Sequence, residues 1–341
     1  MNMKKIIPIL LSAAVLASCA RQGTVGASDD AKIYLDAWIQ QNYPDAPQTS
    51  LGAFIIEDTP GIGSLLGDKQ YVRVEYTTQD LKGNYGNSTF AQINRQLDSY
   101  TTHGYYGPVV WFRGESLDNL RAGVEDVLST MRIGGTRKAV IPGWLLSTQG
   151  TGYASRYSTA EEYVKNCSGT NLIYTIRVED AFDDIEAWEK DSLARYITLN
   201  CPTAQTDSLD GWYYIRTAEP SSTETFPDDT TIYCNYTLRR LDGTVLDTSI
   251  EKVAKDNGLY SSSKSYGPVT INMAESYTGI TMGSDETDVV DGFAYAFKHM
   301  HPHESGSAIF WSGLGYSYSG QGSDIPGYCP LRFDIDIVDS E

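Results

Sequence analysis

The sequence predicts an α+β protein made of two tandem copies of one unit, each a twisted, mainly antiparallel sheet packed on one short helix. Three observations lead to this prediction. Residues at the start of each copy match at a constant spacing, apolar residues recur at helical intervals in two corresponding segments, and each copy ends in a strand of alternating polarity. The repeat of about 160 positions has the length of a domain and far exceeds the repeat of a solenoid.

The first predicted element is a helix over residues 33–42, which Pro44 stops. Its apolar residues return 158 positions later in the second copy. Chance rarely keeps so many positions in one register, so the match indicates a duplicated unit. The matching pairs are Leu35 with Leu193, Trp38 with Tyr196, Ile39 with Ile197, Asn42 with Asn200 and Pro44 with Pro202.

Strand-like segments rich in aromatic and β-branched residues follow in both copies, first at residues 52–56 and 211–215. The spacing between the copies then becomes 160 positions. Long inserted loops are predicted at about residues 90–105 and 250–265. The later matches are Tyr76-Thr77 with Tyr236-Thr237, Leu81 with Leu241, Gly83 with Gly243 and Pro108 with Pro268.

A short amphipathic helix is predicted in each copy, over residues 117–131 and 288–300. The first would begin behind Ser116, and the second behind a cap formed by Thr287 and Asp288. A strand of period two closes each copy, at residues 172–178 and 331–337. We therefore expect one domain over residues 30–185 and a second over residues 186–341.

The amino terminus has the charge and apolar core of a secretory signal peptide, predicted over residues 1–18. Its apolar run is shorter than the ~20 residues that a membrane-spanning helix needs. Leu16-Ala17-Ser18-Cys19 resembles a bacterial lipobox, which implies an acylated Cys19 as membrane anchor and a tether over residues 19–29. Because Ala20 follows Cys19, the resemblance implies the outer membrane; the other interpretation is an ordinary signal peptide that contains a cysteine.

The chain is acidic, with 44 Asp and Glu against 26 Lys and Arg and a formal net charge of −18. Nucleic-acid binding needs basic groups that neutralise phosphates, so nucleic acid is excluded as a partner. The cysteines beyond Cys19 are even in number, none is spaced as Cys-x-x-Cys, and both disulfides and free thiols remain open. These cysteines are Cys167, Cys201, Cys234 and Cys329.

Three histidines alternate with other residues at His299, His301 and His303. In an extended chain they would lie on one face, where imidazoles suit zinc, nickel or copper. The preferred interpretation is a solvated loop between a helix and a strand, with no metal site. No nucleophile elbow, phosphate loop or His-Glu-x-x-His motif is present.

The second copy carries a set of motifs in a fixed order: Tyr236-Thr237, Asp242-Gly243 to Ser249, Pro268, Val289 to Phe293, Met300, Gly315-Tyr316 and Phe333 to Asp336. In order and in most spacings, these motifs resemble those of the FKBP-type peptidyl-prolyl isomerases. The first copy is similar to the family mainly from Met131 to Pro142, and its site positions depart from the family pattern at Gly86-Asn87, Leu120-Arg121 and Val124. The resemblance therefore implies two FKBP-like domains, with the site kept only in the second.

The resemblance implies a role for each site residue. Phe293 would floor a cup for a prolyl ring, with Tyr236 and Phe333 as walls and Val289 at one side. The Val290 backbone N–H and the Tyr316 hydroxyl would hold substrate carbonyls, and Asp247 would orient the site. Leu246, Val269 and Phe293 replace larger aromatic residues of the family, so a wider cup with weak activity is expected.

Two functions follow from the sequence. The first is a membrane-anchored envelope protein that binds proline-containing segments and isomerises them weakly in its second domain, a reaction that needs no metal or cofactor. The second is a non-catalytic scaffold that keeps the fold and holds a partner with its inserted loops. An occluded cup between Tyr236 and Phe333 would favour the second.

Overall fold

The computed structural model describes residues 27–113, 120–147 and 156–339. This part of the chain is α+β, with antiparallel sheets and several helices. Helix α1 begins at Ala27, within the predicted tether, while Cys19 and the signal peptide lie outside the described residues. The helices are α1 (Ala27–Asn42), α2 (Ala91–Gln96), α3 (Ala122–Leu128), α4 (Ala160–Asn166), α5 (Ile185–Asn200), α6 (Glu251–Asp256) and α7 (Asp291–Ala296).

The first sheet has six strands in the part of the chain that the structure describes. Its order is β1-β5-β6-β2-β3, and β4 also pairs with β2. Every pairing is antiparallel. The strands are β1 (Phe54–Thr59), β2 (Tyr71–Gln79), β3 (Tyr85–Ser88), β4 (Val109–Phe112), β5 (Thr136–Ile141) and β6 (Leu172–Phe182).

The second sheet has nine strands among the described residues, in the order β13-β12-β11-β9-β15-β14-β8-β7, with β10 also on β9. The last strand alternates buried and half-buried residues, as its period-two sequence predicts. The strands are β7 (Gln205–Thr206), β8 (Trp212–Ala218), β9 (Thr231–Arg240), β10 (Val245–Thr248), β11 (Val269–Asn272), β12 (Thr281–Met282), β13 (Thr287–Asp288), β14 (Ser305–Phe310) and β15 (Leu331–Val338).

The two sheets share one strand order. In the first, β1-β5-β6-β2 carries β3 and β4 on its last strand. In the second, β8-β14-β15-β9 carries β10 and β11 in the same way. The repeat read in the sequence is thus matched by repeated topology, although the domain boundaries predicted from it stay a prediction.

Both amphipathic helices are shorter than predicted. Helix α3 begins at Ala122, and the predicted start at Ser116 lies outside the described residues. Thr287 and Asp288 do not cap α7, since they form β13 and pair with β12. The β-branched residues before α7 favour extended backbone, which explains why the helix starts later, behind Val290.

The inserted loops are not loops throughout, because each contains a helix. Helix α2 begins one residue after Phe90, and α6 begins one residue after Ile250. Within α6, Lys255 pairs with Glu251 and Lys252 with Asp256 at the i, i+4 spacing that supports a helix. The prediction of long loops at residues 90–105 and 250–265 is therefore corrected.

Each sheet buries its own apolar core, with α1, α3 and α4 on the first and α7 on the second. The Arg240 side chain joins the two halves, donating from Nη1 to the carbonyls of His103 at 2.7 Å and Asp324 at 2.6 Å. The Tyr105 N–H donates to the Ser323 carbonyl at 3.1 Å. No helix in the described ranges is long and apolar enough to cross a bilayer.

Candidate functional site

A cavity of about 470 Å³ opens beside the second sheet, between β9, β15 and the start of α7. All the residues that the sequence implied for the site line it: Tyr236, Asp247, Val289, Val290, Phe293, Tyr316 and Phe333. The sequence assigned no site role to the other lining residues, namely Leu238, Met282, Asp288, Asp291, Gly313, Leu314 and Gly315. Leu246 and Val269 pack against the core and do not line the cavity.

Aromatic rings form the floor of this cavity. The ring centroid of Phe293 lies 4.4 Å from that of Phe333 and 5.7 Å from that of Tyr236. Phe310 stacks on Phe333 at 5.9 Å, and the exposed fraction of Phe293 is only 2%. Tilted and edge contacts of this kind stabilise aromatic clusters, so the floor is apolar and fixed.

Gly292 allows α7, which carries the floor residue Phe293, to pack closely against the sheet. A Cβ at this position would lie 2.3 to 2.5 Å from three ring atoms of Phe310, so any larger residue would push α7 outwards. The indole N–H of Trp212 donates to the Gly292 carbonyl at 2.9 Å. The close approach of α7 to β14 therefore depends on this glycine.

Tyr236 and Asp247 form one polar wall. The Tyr236 hydroxyl donates to Asp247 Oδ2 at 2.6 Å, and the Lys264 ammonium contacts Asp247 Oδ1. Burial, followed by the charge of Asp247, raises the pKa of Tyr236 well above its ordinary value. The hydroxyl therefore stays protonated and holds Asp247 in place. Lys264, which lies in the insert at residues 250–265, holds the same carboxylate from the other side; the sequence did not indicate a site role for this lysine.

Two donors of the cavity are not engaged by other protein groups. Within the described ranges, neither the Val290 backbone N–H nor the Tyr316 hydroxyl donates to a protein acceptor. Burial, with Asp247 as a second cause, raises the pKa of Tyr316, so its hydroxyl remains a donor at neutral pH. The cavity thus offers an aromatic floor and two donors to a ligand that carries carbonyl groups.

The corresponding region of the first sheet is built differently. Trp111 packs on Tyr76 at 4.9 Å, and Tyr174 stacks on Tyr76 at 6.3 Å. Val124, at the position of Phe293, is buried in the core, and the exposed Asn87 makes no side-chain bond to Tyr76 among the described residues. Burial raises the pKa of Tyr174 to about 12. An aromatic cluster remains, without the carboxylate and the phenylalanine floor.

Solved structures similar to this chain include FKBP domains and a peptidyl-prolyl cis-trans isomerase. The three FKBP domains of wheat FKBP73 share 12% identity over 84% of this chain and 94% of that one, with a TM-score of 0.30. FkpA from Escherichia coli shares 20% over 46% of this chain and 59% of its own, with a TM-score of 0.32. A peptidyl-prolyl cis-trans isomerase from Pseudomonas syringae shares 16% over 45% and 92%, with a TM-score of 0.32.

No family model and no curated protein matches the chain. Identities and TM-scores this low leave the fold class resting on the sheets and helices described above.

The histidines face separate carboxylates. His299 Nε2 lies 2.9 Å from Asp207 Oδ2, His301 Nδ1 lies 3.0 Å from Glu304 Oε2, and His303 Nε2 lies 3.4 Å from Asp339 Oδ1. The segment turns after α7 and is not extended, so the histidines do not share one face. No cluster of metal-ligating side chains occurs in the described ranges.

Glu304 anchors this turn from inside the sheet. Its side chain is fully buried and accepts from the Tyr214 hydroxyl at 2.7 Å and from Arg216 Nε at 2.8 Å. Burial opposes its ionisation, but hydrogen bonds from Arg216, Tyr214 and His301 outweigh burial and lower the pKa of Glu304. The histidine segment is therefore a structural turn held by one carboxylate.

The cysteines form no disulfide in the part of the chain that the structure describes. Burial raises the pKa of Cys234 above its ordinary value and that of Cys329 to about 12. Thiols with raised pKa values are poor nucleophiles because little thiolate is present at neutral pH. They carry no chemistry of the cavity beside Phe293.

Proposed function

We propose that the cavity beside Phe293 binds proline-containing peptide segments of envelope proteins and isomerises them weakly. One observation carries this proposal: the cavity is open, its floor is made of Phe293, Tyr236 and Phe333, and two uncommitted donors stand at its edge. An occluded cup would have favoured a scaffold without this site.

Prolyl isomerisation depends on an apolar surface of the right shape rather than on chemically reactive side chains. The barrier to rotation about a peptide bond is ~18–20 kcal/mol, because the twisted amide loses its resonance. A site accelerates rotation by binding the twisted form more tightly than either planar form. The floor would bury the prolyl ring, at roughly 25 cal/mol for each Å² of apolar surface removed from water. The Val290 N–H and Tyr316 O–H would hold the carbonyls on either side.

The size of the cavity supports weak rather than strong catalysis. At about 470 Å³ it is roughly three times the ~150 Å³ cavity that accommodates a benzene ring. A prolyl ring would leave much of this space to water or to neighbouring substrate residues. Loose positioning lowers the rate, since catalysis depends on holding the reacting bond in one geometry.

The test is a prolyl isomerisation assay on a proline tetrapeptide with the protein and its Tyr316→Phe variant. Because the Tyr316 hydroxyl bonds no protein group in the described part of the chain, its loss should leave stability unchanged. One lost hydrogen bond of about 1 kcal/mol predicts a kcat/KM about fivefold lower.

Tyr318→Phe is the matched control, since Tyr318 is 63% exposed and does not line the cavity. If the unmodified protein neither accelerates isomerisation nor shows amide shifts at the cavity with the peptide, the proposal fails.

The scaffold function keeps one specific observation in its favour. Both inserts hold the same tyrosine pair, Tyr100 on Tyr106 at 5.0 Å and Tyr260 on Tyr266 at 5.6 Å. In each, a backbone N–H donates to the second hydroxyl at 2.9 Å. The inserts are thus alike in both halves while the cavity is not. Tyr260→Ala should reduce partner recovery from the envelope without changing isomerisation.

We also propose that Cys19 carries a lipid that anchors the protein to the outer membrane, and that residues 30–185 and 186–341 are two FKBP-like domains. The support for the anchor is Leu16-Ala17-Ser18-Cys19, and the support for the domains is the shared strand order. Metabolic labelling with palmitate should mark the protein and not its Cys19→Ser variant, which should also leave the outer-membrane fraction. An unlabelled native protein would contradict the anchor.

A further inference from the structure

A second cavity, of about 240 Å³, lies where the two halves of the protein meet. It shares no residue with the cavity beside Phe293. We name it the junction cavity. Its walls come from the first sheet and the segment before β4, from α5, from the end of β9 and from the segment before β15. The lining residues that matter below are Tyr105, Trp188, Glu189, Ser192, Arg240 and Tyr328.

Glu189 is the exceptional group in this wall. Its exposed fraction is 1%, and its Oε2 accepts from the Ser312 hydroxyl at 2.6 Å. Its Oε1 has no hydrogen-bond donor among the described residues. A buried acceptor without a donor is costly, and for a carboxylate the cost is larger still. Burial accordingly raises the pKa of Glu189 to about 7.

The cations near the junction cavity are committed to other groups. Arg240 bonds the carbonyls of His103 and Asp324 and the carboxylate of Asp242 at 3.1 Å. Arg73 Nη1 donates to Glu179 Oε2 at 2.7 Å. Glu189 therefore faces the cavity as an acceptor that no cation of the described chain neutralises.

We propose that the junction cavity binds a small organic amine whose ammonium group donates to Glu189. The apolar part of the ligand lies among Tyr105, Trp188 and Tyr328, whose ring faces also attract cations. A volume of about 240 Å³ exceeds the ~150 Å³ that takes benzene, which leaves space for one ring and a short amino arm. This binding is separate from the proposed proline site and does not depend on it.

The ligand class is tested by calorimetric titration of the full chain with 2-phenylethylamine, 2-phenylethanol and 3-phenylpropionate. The titration is run at pH 8, where Glu189 is ionised and an alkyl ammonium, like that of lysine, remains protonated. The amine should bind at least about tenfold more tightly than the alcohol, and the carboxylate should not bind. Equal affinity for amine and alcohol, or no heat with the amine at millimolar concentration, would overturn the proposal.

The location is tested with two variants and a control. Glu189→Gln removes the charge. Ser192→Trp fills the cavity and keeps the carboxyl. Each variant should weaken the binding of 2-phenylethylamine by about tenfold or more. Asp191→Asn, an exposed change on the same helix, should leave the affinity unchanged. Full binding in Glu189→Gln would refute the assignment, and so would full binding in a folded Ser192→Trp.

Discussion

Replacing Glu189 by Gln should stabilise the protein at alkaline pH and not at acidic pH. The folded state raises the pKa of this carboxyl from 4.5 to about 7, mainly because the group is buried. In the unfolded chain the carboxyl ionises near its ordinary value. Folding therefore opposes ionisation: no stability is lost below pH 4.5, the loss grows between pH 4.5 and 7, and it is constant above pH 7.

The size of the effect follows from the shift. One pKa unit corresponds to about 1.4 kcal/mol, so ionised Glu189 lowers the free energy of unfolding by about 3 kcal/mol at pH 8. Glutamine keeps an oxygen for the Ser312 hydroxyl but buries an amide N–H group, at a cost of about 1 kcal/mol. The variant should therefore be more stable by about 2 kcal/mol at pH 8 and less stable by about 1 kcal/mol at pH 4.

Urea unfolding of both proteins at pH 4, 6 and 8 measures this difference. Comparison with Asp191→Asn, an exposed residue of the same helix, removes any general effect of lost negative charge. A difference between wild type and Glu189→Gln that stays constant across these pH values would refute the reasoning, since it would mean that Glu189 ionises as freely in the folded protein as in the unfolded chain.

Three further predictions use neighbouring features. Gly292→Ala should lower the free energy of unfolding by about 1–3 kcal/mol and slow isomerisation, because the new Cβ would clash with the Phe310 ring. Gly123→Ala should destabilise the protein as much, through the first sheet, without changing isomerisation. Urea unfolding and the tetrapeptide assay distinguish the two variants. Lys264→Ala should raise the KM for isomerisation more than it lowers kcat, because the Asp247 carboxylate loses its contact with the lysine ammonium. An unchanged KM would contradict this prediction. Arg240→Ala should lower the free energy of opening the contact between the two halves by about 3 kcal/mol or more, measured as faster amide exchange at Tyr105. Protection equal to wild type would show that the Arg240 hydrogen bonds do not hold the two halves together.

Much of the fold was readable because local pattern and topology agree. At the starts of the copies, the matched residues from Leu35 to Asn42 lie on α1 and those from Leu193 to Asn200 lie on α5. The matched prolines follow these helices, and the matched Tyr-Thr pairs lie on β2 and β9. The residues implied for the site meet at one cavity because strand pairing fixes their distances: β10 pairs with β9, and this places Asp247 within reach of Tyr236. Their roles in binding and catalysis stay proposals.

The misses have a common physical origin. Thr287 and Asp288 looked like a helix cap, but pairing with β12 took them into a strand. Lys264 reaches Asp247 from an insert 17 positions away, and no periodic pattern predicts such a contact. The junction cavity forms only where segments distant in sequence pack together, so the sequence offered no signal for Glu189.

The ends of the nine-stranded sheet have a consequence for self-association. Strands β7 and β13, which close the order in the described part of the chain, are two residues long each. An edge this short presents few unpaired N–H and C=O groups on which another copy could add a strand. Where molecules crowd on one surface, these two edges would offer little template for cross-β growth, even where salt screens the acidic charge that otherwise keeps the molecules apart.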